Sequence, residues 1–579
     1  MANGVWDQVA QTLWQWGVRS ILGLPNDDLA ALQAARRHGL RWILTRDQRN
    51  ALFMAGGHSL ASGGLSVCVV GKGPALGNAL TGLLECQALS VPVLLLATGT
   101  AQGTIGSGAF QEADQMALVR PLVKWSYRVE RAERLAWALQ RAAFLALNGQ
   151  PGPVYLELPE DLPPMPQVEE EGKAEAPVSL PKRLTSLPKR AALQEVWHRL
   201  QHAKRPLLLL GGGALRAGRP GLYEQLAERC GAALFTTASG RSAVAESHRL
   251  FCGLAGIYTA EALRALWSQA DLLVVLGSRL EETALALLHQ VDPRARWVQV
   301  DVEPANFSHR IESEKLLGDA AACAGHWVAP ADSPAMVSAD ADHIASARQA
   351  WLAQIVSLRR QAHAQCDERL GGLSERNRLE AADVLQALQA EAPADTVFVH
   401  ENGLADMWSY FFPYFALRDG QRCVVPSEQT TLGFGAAAAV GVKLARPEST
   451  VVALVGDGAF NLFRSDLCTA TDNALPVIYV VFNNRSYGWL EQQWQQHARP
   501  SETGAGPGSG FAFDADLNFQ RPNLLVLPVG RRDALRDALT AAFDAHRQGR
   551  TAVVDVQLSR IEAAPGLEAF YGSAPHISL

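Results

Sequence analysis

A chain of 579 residues is too long for one hydrophobic core, and ordinary domain sizes predict three or four domains. The net charge of −6 leaves no basic excess to neutralise phosphates, which argues against a nucleic-acid partner. No apolar run approaches the roughly 20 residues that span a bilayer, and the N-terminus lacks the pattern of a signal peptide. The eight cysteines are scattered and include no CxxC pair. We therefore expect a cytoplasmic protein with reduced thiols and no membrane contact.

Short β-branched runs alternate with helical patterns along the whole chain. They include LSVCVVG and VPVLLLATG early in the chain, RPLLLLGGG, ADLLVVLGS and RWVQVDV in the middle, and STVVALVGDG and LPVIYVVFNN near the end. Continuous apolar strands that end in glycine or polar residues are typical of parallel sheets covered on both faces. The predicted fold class is therefore α/β, with doubly wound parallel sheets.

Two segments rich in proline or charge interrupt this alternation. One covers residues 161–190, and the other, APADSPAMVSADAD, follows Val328. Such a composition predicts linkers. We expect a first domain at residues 1–165, a central domain at 190–330, a third domain at 370–560 and a C-terminal tail at 561–579, in line with ordinary domain sizes.

The motif with the clearest chemistry lies in the third domain. The strand TVVALV runs into Gly456-Asp457-Gly458, and a second strand, PVIYVVF, ends at Asn483-Asn484. The glycines allow the backbone to approach a phosphate closely, and the start of the following helix offers free N–H groups to an anion. A carboxylate and an amide oxygen at adjacent strand ends suit Mg²⁺ held between the protein and a diphosphate.

This motif resembles the thiamine-diphosphate signature, in which GDG is followed at a fixed interval by NN; here Asp457 and Asn484 are 27 positions apart (484 − 457). The alternative is a plain GDG turn with a chance NN pair. The resemblance covers nearly the whole chain and points to the acetolactate-synthase-like branch of thiamine-diphosphate enzymes. It implies a pyrimidine-binding, a central Rossmann-like and a diphosphate-binding domain, with thiamine diphosphate and Mg²⁺ as cofactors. The stretches that carry it are WGVRSILGLPNDDLAAL, VVGKGPALGNALTGLLECQALSVPVLLLATG, AFQEADQMALVRPLVKWSYRV and GQPGPVYLELPEDLP in the first domain, ADLLVVLGSRLEET and VQVDVEPANF in the second, and VFVHENGLADMW and TTLGFGAAAAVGVKLARP in the third.

The resemblance also assigns residues that would bind the cofactor and the metal. Leu432 takes the place of the apolar residue that bends the cofactor, and the Thr430 carbonyl would accept a hydrogen bond from its aminopyrimidine ring. Asn484 and the carbonyl of Ser486 would complete the metal shell that Asp457 begins. The other predicted cofactor contacts are Glu401, Asn402, Gly403, Gly456, Gly458 and Ala459.

Position 48 departs from the family pattern. Family members carry a glutamate nine positions before the glycine of a GY pair, and here Gly57 is that glycine, so Gln48 holds the place of the glutamate. A register slip of one residue would offer Asp47 instead, from a different face of the helix. The usual glutamate protonates N1′ of the aminopyrimidine, whereas a glutamine can hydrogen-bond N1′ but has no acidic proton to exchange. We predict a catalytic role for Gln48 in an active enzyme with slow cofactor activation. The alternative is a catalytically dead relative.

The predicted substrate pocket comes from loops that would face the cofactor's thiazolium. Its members are Pro25, Asn26, Phe110, Gln111, Trp489, Leu490 and Glu491. Phe110 and Trp489 could instead be packing aromatics, and Glu491 a solvated helix residue. A glycine-rich turn at residues 211–218 is weak evidence for a dinucleotide site, and we expect the central domain to bind no nucleotide.

The function that the resemblance implies is decarboxylation of a 2-oxo acid with transfer of the acyl unit to an acceptor carbonyl. Alternatives within the class are a 2-hydroxyacyl lyase, a glyoxylate-type carboligase and an acetyltransferase acting on a sulfonated aldehyde. An alternative from another class is a non-catalytic relative that binds the cofactor. Because the family builds its site from two subunits, we expect a homodimer or homotetramer.

Overall fold

The computed structural model describes residues 4–25, 29–163, 179–286, 288–329, 341–376, 378–497, 510–559, 562 and 564. The strands are β1 (Ser20–Gly23), β2 (Arg41–Leu44), β3 (Ser66–Val70), β4 (Val93–Gly99), β5 (Trp125–Arg128), β6 (Val154–Pro159), β7 (Pro206–Leu210), β8 (Ala233–Thr236), β9 (Phe251–Leu254), β10 (Leu272–Leu276), β11 (Arg296–Asp301), β12 (Glu314–Leu317), β13 (Val397–His400), β14 (Arg422–Val424), β15 (Val451–Gly456), β16 (Ile478–Asn483), β17 (Leu524–Val529) and β18 (Thr551–Gln557).

The α-helices between these strands are α1 (Val5–Gln15), α2 (Ala30–Arg37), α3 (Gln48–Ser62), α4 (Pro74–Ala88), α5 (Gln115–Val119), α6 (Leu135–Leu147), α7 (Arg190–His202), α8 (Gly212–Ala217), α9 (Leu222–Cys230), α10 (Arg264–Gln269), α11 (Glu282–Leu285), α12 (Ala320–Val328), α13 (Ala341–Ser374), α14 (Ala381–Glu391), α15 (Leu404–Tyr410), α16 (Phe434–Ala445), α17 (Asp457–Phe463), α18 (Leu467–Asp472), α19 (Gly488–His497) and α20 (Arg532–Arg547). Among the described residues, no helix is long and apolar enough to cross a membrane. All eight cysteines are free thiols.

The strands form three six-stranded sheets, and their paired neighbours run parallel. The first sheet has the order β2-β1-β3-β4-β6-β5, and the third, β14-β13-β15-β16-β18-β17, repeats it. The second sheet has the order β12-β11-β10-β7-β8-β9, which is that of a Rossmann sheet. The predicted fold class is thus confirmed. The predicted domain limits each enclose one sheet, and they stay a prediction.

The apolar runs of the sequence form the middle strands of these sheets. Every residue of β4 and of β16 is buried, as expected for strands covered by helices on both faces. One hydrophobic core extends from the first sheet into the third, and another joins the second sheet to the third. The three sheets therefore share cores instead of standing as separate units.

Glycines allow α3 of the first domain to pack closely against α16 of the third. A Cβ atom on Gly57 would collide with the carbonyl of Ala438, and one on Gly441 would collide with the carbonyl of Met54. Close backbone approach of this kind requires glycine. The contact fixes α3, and with it Gln48 at its first position, against the third domain.

A buried ion pair joins the central domain to the third. Arg241 Nε lies 2.7 Å from Glu246 Oε1, and both side chains are almost fully buried. Arg241 also donates to the carbonyls of Ser409 and Phe415, while Glu246 accepts from the N–H of Leu417. Because removal of either partner would leave a buried charge unpaired, this link should hold the two domains in a fixed arrangement.

Candidate functional site

The switch point of the third sheet lies between β13 and β15. In the order β14-β13-β15 the connections leave these two neighbouring strands in opposite directions, and ligands of doubly wound sheets bind in the crevice that results. Glu401 follows β13 directly, and Asp457 follows β15. The crevice is therefore flanked by two buried carboxyl groups.

The Asp457 carboxylate lies within a ring of backbone N–H groups. Oδ1 accepts from Gly458 at 2.7 Å and Oδ2 from Arg485 at 2.6 Å, and the backbones of Asn484 and Ser486 also donate to it. Burial nevertheless raises the pKa of Asp457 to about 6. The largest causes of this shift are burial and the four backbone hydrogen bonds, and none is a basic side chain. A cation at this carboxylate would stabilise its charged form.

The surroundings of Asp457 fit Mg²⁺ and a diphosphate. A Cβ atom on Gly456 would meet open space, whereas one on Gly458 would lie 2.6 Å from the Tyr487 ring. The structure thus provides a free volume beside the backbone at the end of β15. Carboxylate, amide and carbonyl oxygens are the ligands that Mg²⁺ prefers, and Asp457, Asn484 and Ser486 supply one of each.

The loop between β16 and α19 brings further predicted residues to the same place. Ser486 donates its hydroxyl to Glu491 Oε2 at 2.6 Å and forms a β-bridge with Ala512. Trp489 packs against the core at partial exposure, while Leu490 is 50% exposed. Glu491 is therefore tied to the loop that carries Asn484 and Ser486, and Leu490 presents an apolar side chain next to it.

The Glu401 carboxylate is occupied by protein contacts. Its side chain, 1% exposed, accepts N–H groups from Asn402 at 3.1 Å, Gly433 at 3.1 Å and Ala436 at 3.2 Å, at the start of α16. Burial raises the pKa of Glu401 to about 7. The Glu401 carboxylate thus holds the start of α16, and the cofactor contacts expected at Glu401 and Gly403 stay predictions.

The segment predicted to grip the aminopyrimidine lies beside Glu401. Asn402 Nδ2 donates to the Thr430 carbonyl at 3.0 Å, and Thr430 has a left-handed backbone with φ of +43°. Leu432 is partly exposed two residues later. The carbonyl and the apolar side chain expected to touch the ring thus lie on one short turn. Ala459, the remaining predicted contact, is buried in the first turn of α17.

Gln48 lies at the other predicted half of the site, in the first domain. Asp47 caps α3, because its Oδ1 accepts from the N–H of Arg49 at 2.8 Å. Gln48 is the first residue of the helix and is partly exposed, and its Oε1 accepts from Asn78 Nδ2 at 2.8 Å. Since the carboxylate of Asp47 is used as the cap, Gln48 is the side chain at this position that is left to face a ligand.

Two of the first-domain pocket residues lie at the carboxyl edge of the first sheet. Phe110 is 68% exposed, and Gln111, with φ of +56°, places its carbonyl against Gly73 at the start of α4. Pro25 is partly exposed after β1. Asn26 lies outside the described residues. Gln111 thus lies at the start of α4, the helix whose Asn78 contacts Gln48.

Comparisons with known proteins decide the family. The description "Thiamine pyrophosphate enzyme" applies to all three matches: its N-terminal TPP binding domain matches residues 4–118, its central domain 193–326 and its C-terminal TPP binding domain 401–556. The chain belongs to the thiamine pyrophosphate enzymes. The N-terminal and C-terminal matches make thiamine diphosphate its cofactor.

Among thiamine pyrophosphate enzymes, this chain is similar to acetolactate synthase large subunits. The isozyme 3 large subunit of Escherichia coli (strain K12) is 28% identical over 84% of this chain and 83% of its own length. The large subunit of Lactococcus lactis is 26% identical over 88% and 85%. A thiamine diphosphate-dependent 4-hydroxybenzoylformate decarboxylase of Rhodococcus jostii RHA1 superposes with a TM-score of 0.74, over 96% of this chain and 99% of that one. At 22% identity, that last likeness shows the fold alone.

Sequence reasoning missed several polar residues of this thiamine pyrophosphate enzyme. Asn78 contacts Gln48, and Lys72 Nζ lies 2.7 Å from Glu160 and 5.9 Å from the Phe110 ring centroid. Buried Asp466 accepts from the Arg46 N–H and from Asn50 Nδ2, both at 2.8 Å, and so joins the start of α3 to the third domain. The stretch GKGPALGN, with polar residues among strand-end glycines, was the available signal for Lys72 and Asn78.

A cavity lies where the three domains meet. It has a volume of 1220 Å³, including the part open to solvent, and three arginines contribute to its lining: Arg183, Arg216 and Arg279. Glu401 and Thr430 line its third-domain side. The glycine-rich turn reaches it through Gly212, which begins the short helix α8. The expectation that the central domain binds no nucleotide stays a prediction.

Proposed function

We propose that this enzyme holds thiamine diphosphate through Mg²⁺, decarboxylates a 2-oxo acid and transfers the acyl unit to an acceptor carbonyl. The observation that carries the proposal is the buried Asp457 carboxylate, which accepts from the backbone of Asn484 and lies beside a free volume at Gly456. The names of the acetolactate synthase relatives support the reaction class. When bound, the cofactor supplies an electron sink for the carbanion left by the departing carboxylate.

The residues of this chain would bind, orient and shield the reacting groups. Asp457, Asn484 and the Ser486 carbonyl would hold the metal. Leu432 would support the bend of the cofactor, and Gln48 would hydrogen-bond its N1′ atom. The pocket around the substrate would consist of Phe110, Gln111, Trp489, Leu490 and Glu491, with Pro25 and Asn26 at its first-domain side; the exposed apolar members would exclude water.

We infer further that two chains complete each site. Arg49, next to Gln48, donates to the Leu462 carbonyl near the C-terminal end of α17, whereas Asp457 begins the same helix. Within one chain, Gln48 is thus near the end of α17 opposite Asp457. A second chain could bring its own Gln48 to Asp457, which requires a homodimer or a tetramer built from dimers.

Gln48 favours a second candidate within the same class. Glyoxylate-type carboligases lack the usual glutamate, so the glutamine would suit a reaction of that kind. The two candidates differ in the donor, which is a larger 2-oxo acid in the first and glyoxylate in the second.

A calorimetric titration with a substrate panel tests the proposal. The purified protein should bind thiamine diphosphate with Mg²⁺ and much more weakly without a divalent ion. The loaded protein is then given pyruvate, glyoxylate and larger 2-oxo acids, with CO₂ and ligated products measured. Cofactor binding that ignores Mg²⁺ would contradict the metal site. Binding without turnover of any 2-oxo acid would favour a non-catalytic relative.

A further inference from the structure

The hydrogen bonds around Gln48 determine which way its amide is turned. Asn78 places Nδ2 2.8 Å from Gln48 Oε1 and 3.3 Å from Asp47 Oδ1. An ionised carboxylate only accepts hydrogen bonds, so the Asn78 atom that faces Asp47 is the nitrogen. The Gln48 atom that meets the same NH₂ group must then be the oxygen. The Asp47 carboxylate therefore fixes which atom is oxygen and which is nitrogen in both the Asn78 and the Gln48 amide.

The Asp47 carboxylate has contacts that hold it in place. Its Oδ1 accepts from the N–H of Arg49 as the cap of α3, and its Oδ2 lies 3.5 Å from the Arg49 guanidinium. A cap to the helix N-terminus and a neighbouring guanidinium restrict where this carboxylate can lie. Asp47 therefore acts as a fixed acceptor from which the orientation of Asn78 follows.

The Nε2 amino group of Gln48 is the end of the side chain that Asn78 does not contact. No described residue accepts a hydrogen bond from its Nε2, and the side chain is partly exposed. A glutamate at this position would have two chemically equal oxygens, so the same neighbours would not give it a direction. In a glutamine the contact with Asn78 fixes the oxygen on one side, so the NH₂ group faces the other way.

We propose that Asp47 and Asn78 are positioning residues that present Gln48 Nε2, as a hydrogen-bond donor, to N1′ of the aminopyrimidine ring. The inference rests on the proposed function, in which this ring lies against Gln48. N1′ of the neutral ring carries a lone pair and accepts one hydrogen bond. Gln48 would thus hold the ring by donating to N1′ without transferring a proton to it. The reversed amide would set an oxygen against the lone pair and repel the ring.

The test compares two ligands in three variants by calorimetry, in the presence of Mg²⁺. The ligands are thiamine diphosphate and an analogue in which N1′ is replaced by C–H. Wild-type protein should bind the analogue about tenfold more weakly, because one hydrogen bond to N1′ is lost. Asn78→Asp offers Gln48 an acceptor instead of a donor and should turn its amide round. This variant should bind thiamine diphosphate about 10- to 100-fold more weakly and should lose the preference for the ligand with N1′.

Two further variants separate orientation from charge and folding. Asn78→Ala removes the donor without reversing the amide, so it should lose affinity by only a few fold. Thr81→Asp places the same added charge on the exposed face of α4 one turn later, and it should keep the wild-type ligand preference. Thermal melting of each apo variant checks that the chain is folded.

The outcomes distinguish this inference from the proposed function. Failure of wild-type protein to bind thiamine diphosphate would overturn the proposed function itself. Tight binding with no preference between the two ligands would show that Gln48 does not donate to N1′. A preference that survives in Asn78→Asp would show that Asn78 does not set the orientation of Gln48, and either result would overturn the proposal.

Discussion

The two halves of the predicted cofactor site use different chemical groups. In the third domain, two buried carboxyl groups, Asp457 and Glu401, are surrounded by backbone N–H donors. In the first domain, two amides, Gln48 and Asn78, meet at the edge of α3 and are oriented by Asp47. A metal and a diphosphate require charge, whereas activation at N1′ requires a proton that Gln48 does not carry. The comparison indicates that cofactor binding and cofactor activation are separable in this chain.

Removal of the Asp457 carboxylate should have the largest effect and should act on binding alone. Asp457→Ala takes away the one charged protein ligand of the proposed metal site. We expect the affinity for thiamine diphosphate in Mg²⁺ to fall by at least about 100-fold, since even residues behind metal ligands are worth 10- to 100-fold. Calorimetry measures the change. Asp533→Ala, an exposed carboxylate on α20 of the same domain, is the matched control and should bind normally. An unchanged affinity in Asp457→Ala would remove the metal assignment.

An acid in place of Gln48 should act on the other half, and on activation instead of binding. Gln48→Glu restores an exchangeable proton next to N1′. We expect exchange of the cofactor's C2 proton for deuterium to become about 100-fold faster, since a positioned proton donor is typically worth 10² to 10⁴ in rate. Affinity for the cofactor should change by only a few fold. Rapid-quench NMR follows the exchange. Fast exchange in the wild type that Gln48→Glu leaves unchanged would mean that Gln48 does not lie at N1′.

A mixture of two variants tests whether the two halves of one site come from different subunits. Gln48→Arg should block the first-domain half by size and charge, and Asp457→Ala should disable the third-domain half. Each variant alone should bind no cofactor. If sites form between chains, a mixed dimer contains one intact site, and random exchange of subunits should restore about a quarter of the sites. Calorimetry after subunit exchange counts them. No recovery, or a monomer by light scattering that binds cofactor, would place both halves within one chain.

The sequence predicted the third-domain half of the site better than the first. Strand ends in parallel sheets meet at one edge, so Asp457 and Asn484 were expected to lie together, and the structure brings them together. Asn78 is 30 positions from Gln48 on another helix, and only the packing of α3 against α4 shows that they touch. The predicted cofactor contact of Glu401 stays a prediction, but that its carboxylate also holds the start of α16 depends on how β13 meets that helix. The spacing of residues within a motif therefore could not predict contacts between elements that are distant in sequence.

The smallest predicted effect concerns Glu401 and tests whether this carboxyl group of the third-domain half is neutral at ordinary pH. Burial raises its pKa from 4.5 to about 7, so the folded chain binds this proton more tightly than the unfolded chain does. The stability from neutral Glu401 is fully present below pH 4.5 and is lost as the pH rises through about 7. Glu401→Gln cannot ionise and should escape this loss. Relative to wild type, the melting temperature of the apo variant should rise by about 2–4 °C between pH 5 and pH 8. A constant difference across that range would show that Glu401 keeps an ordinary pKa, and that its N–H donors fully offset the cost of burying its charge.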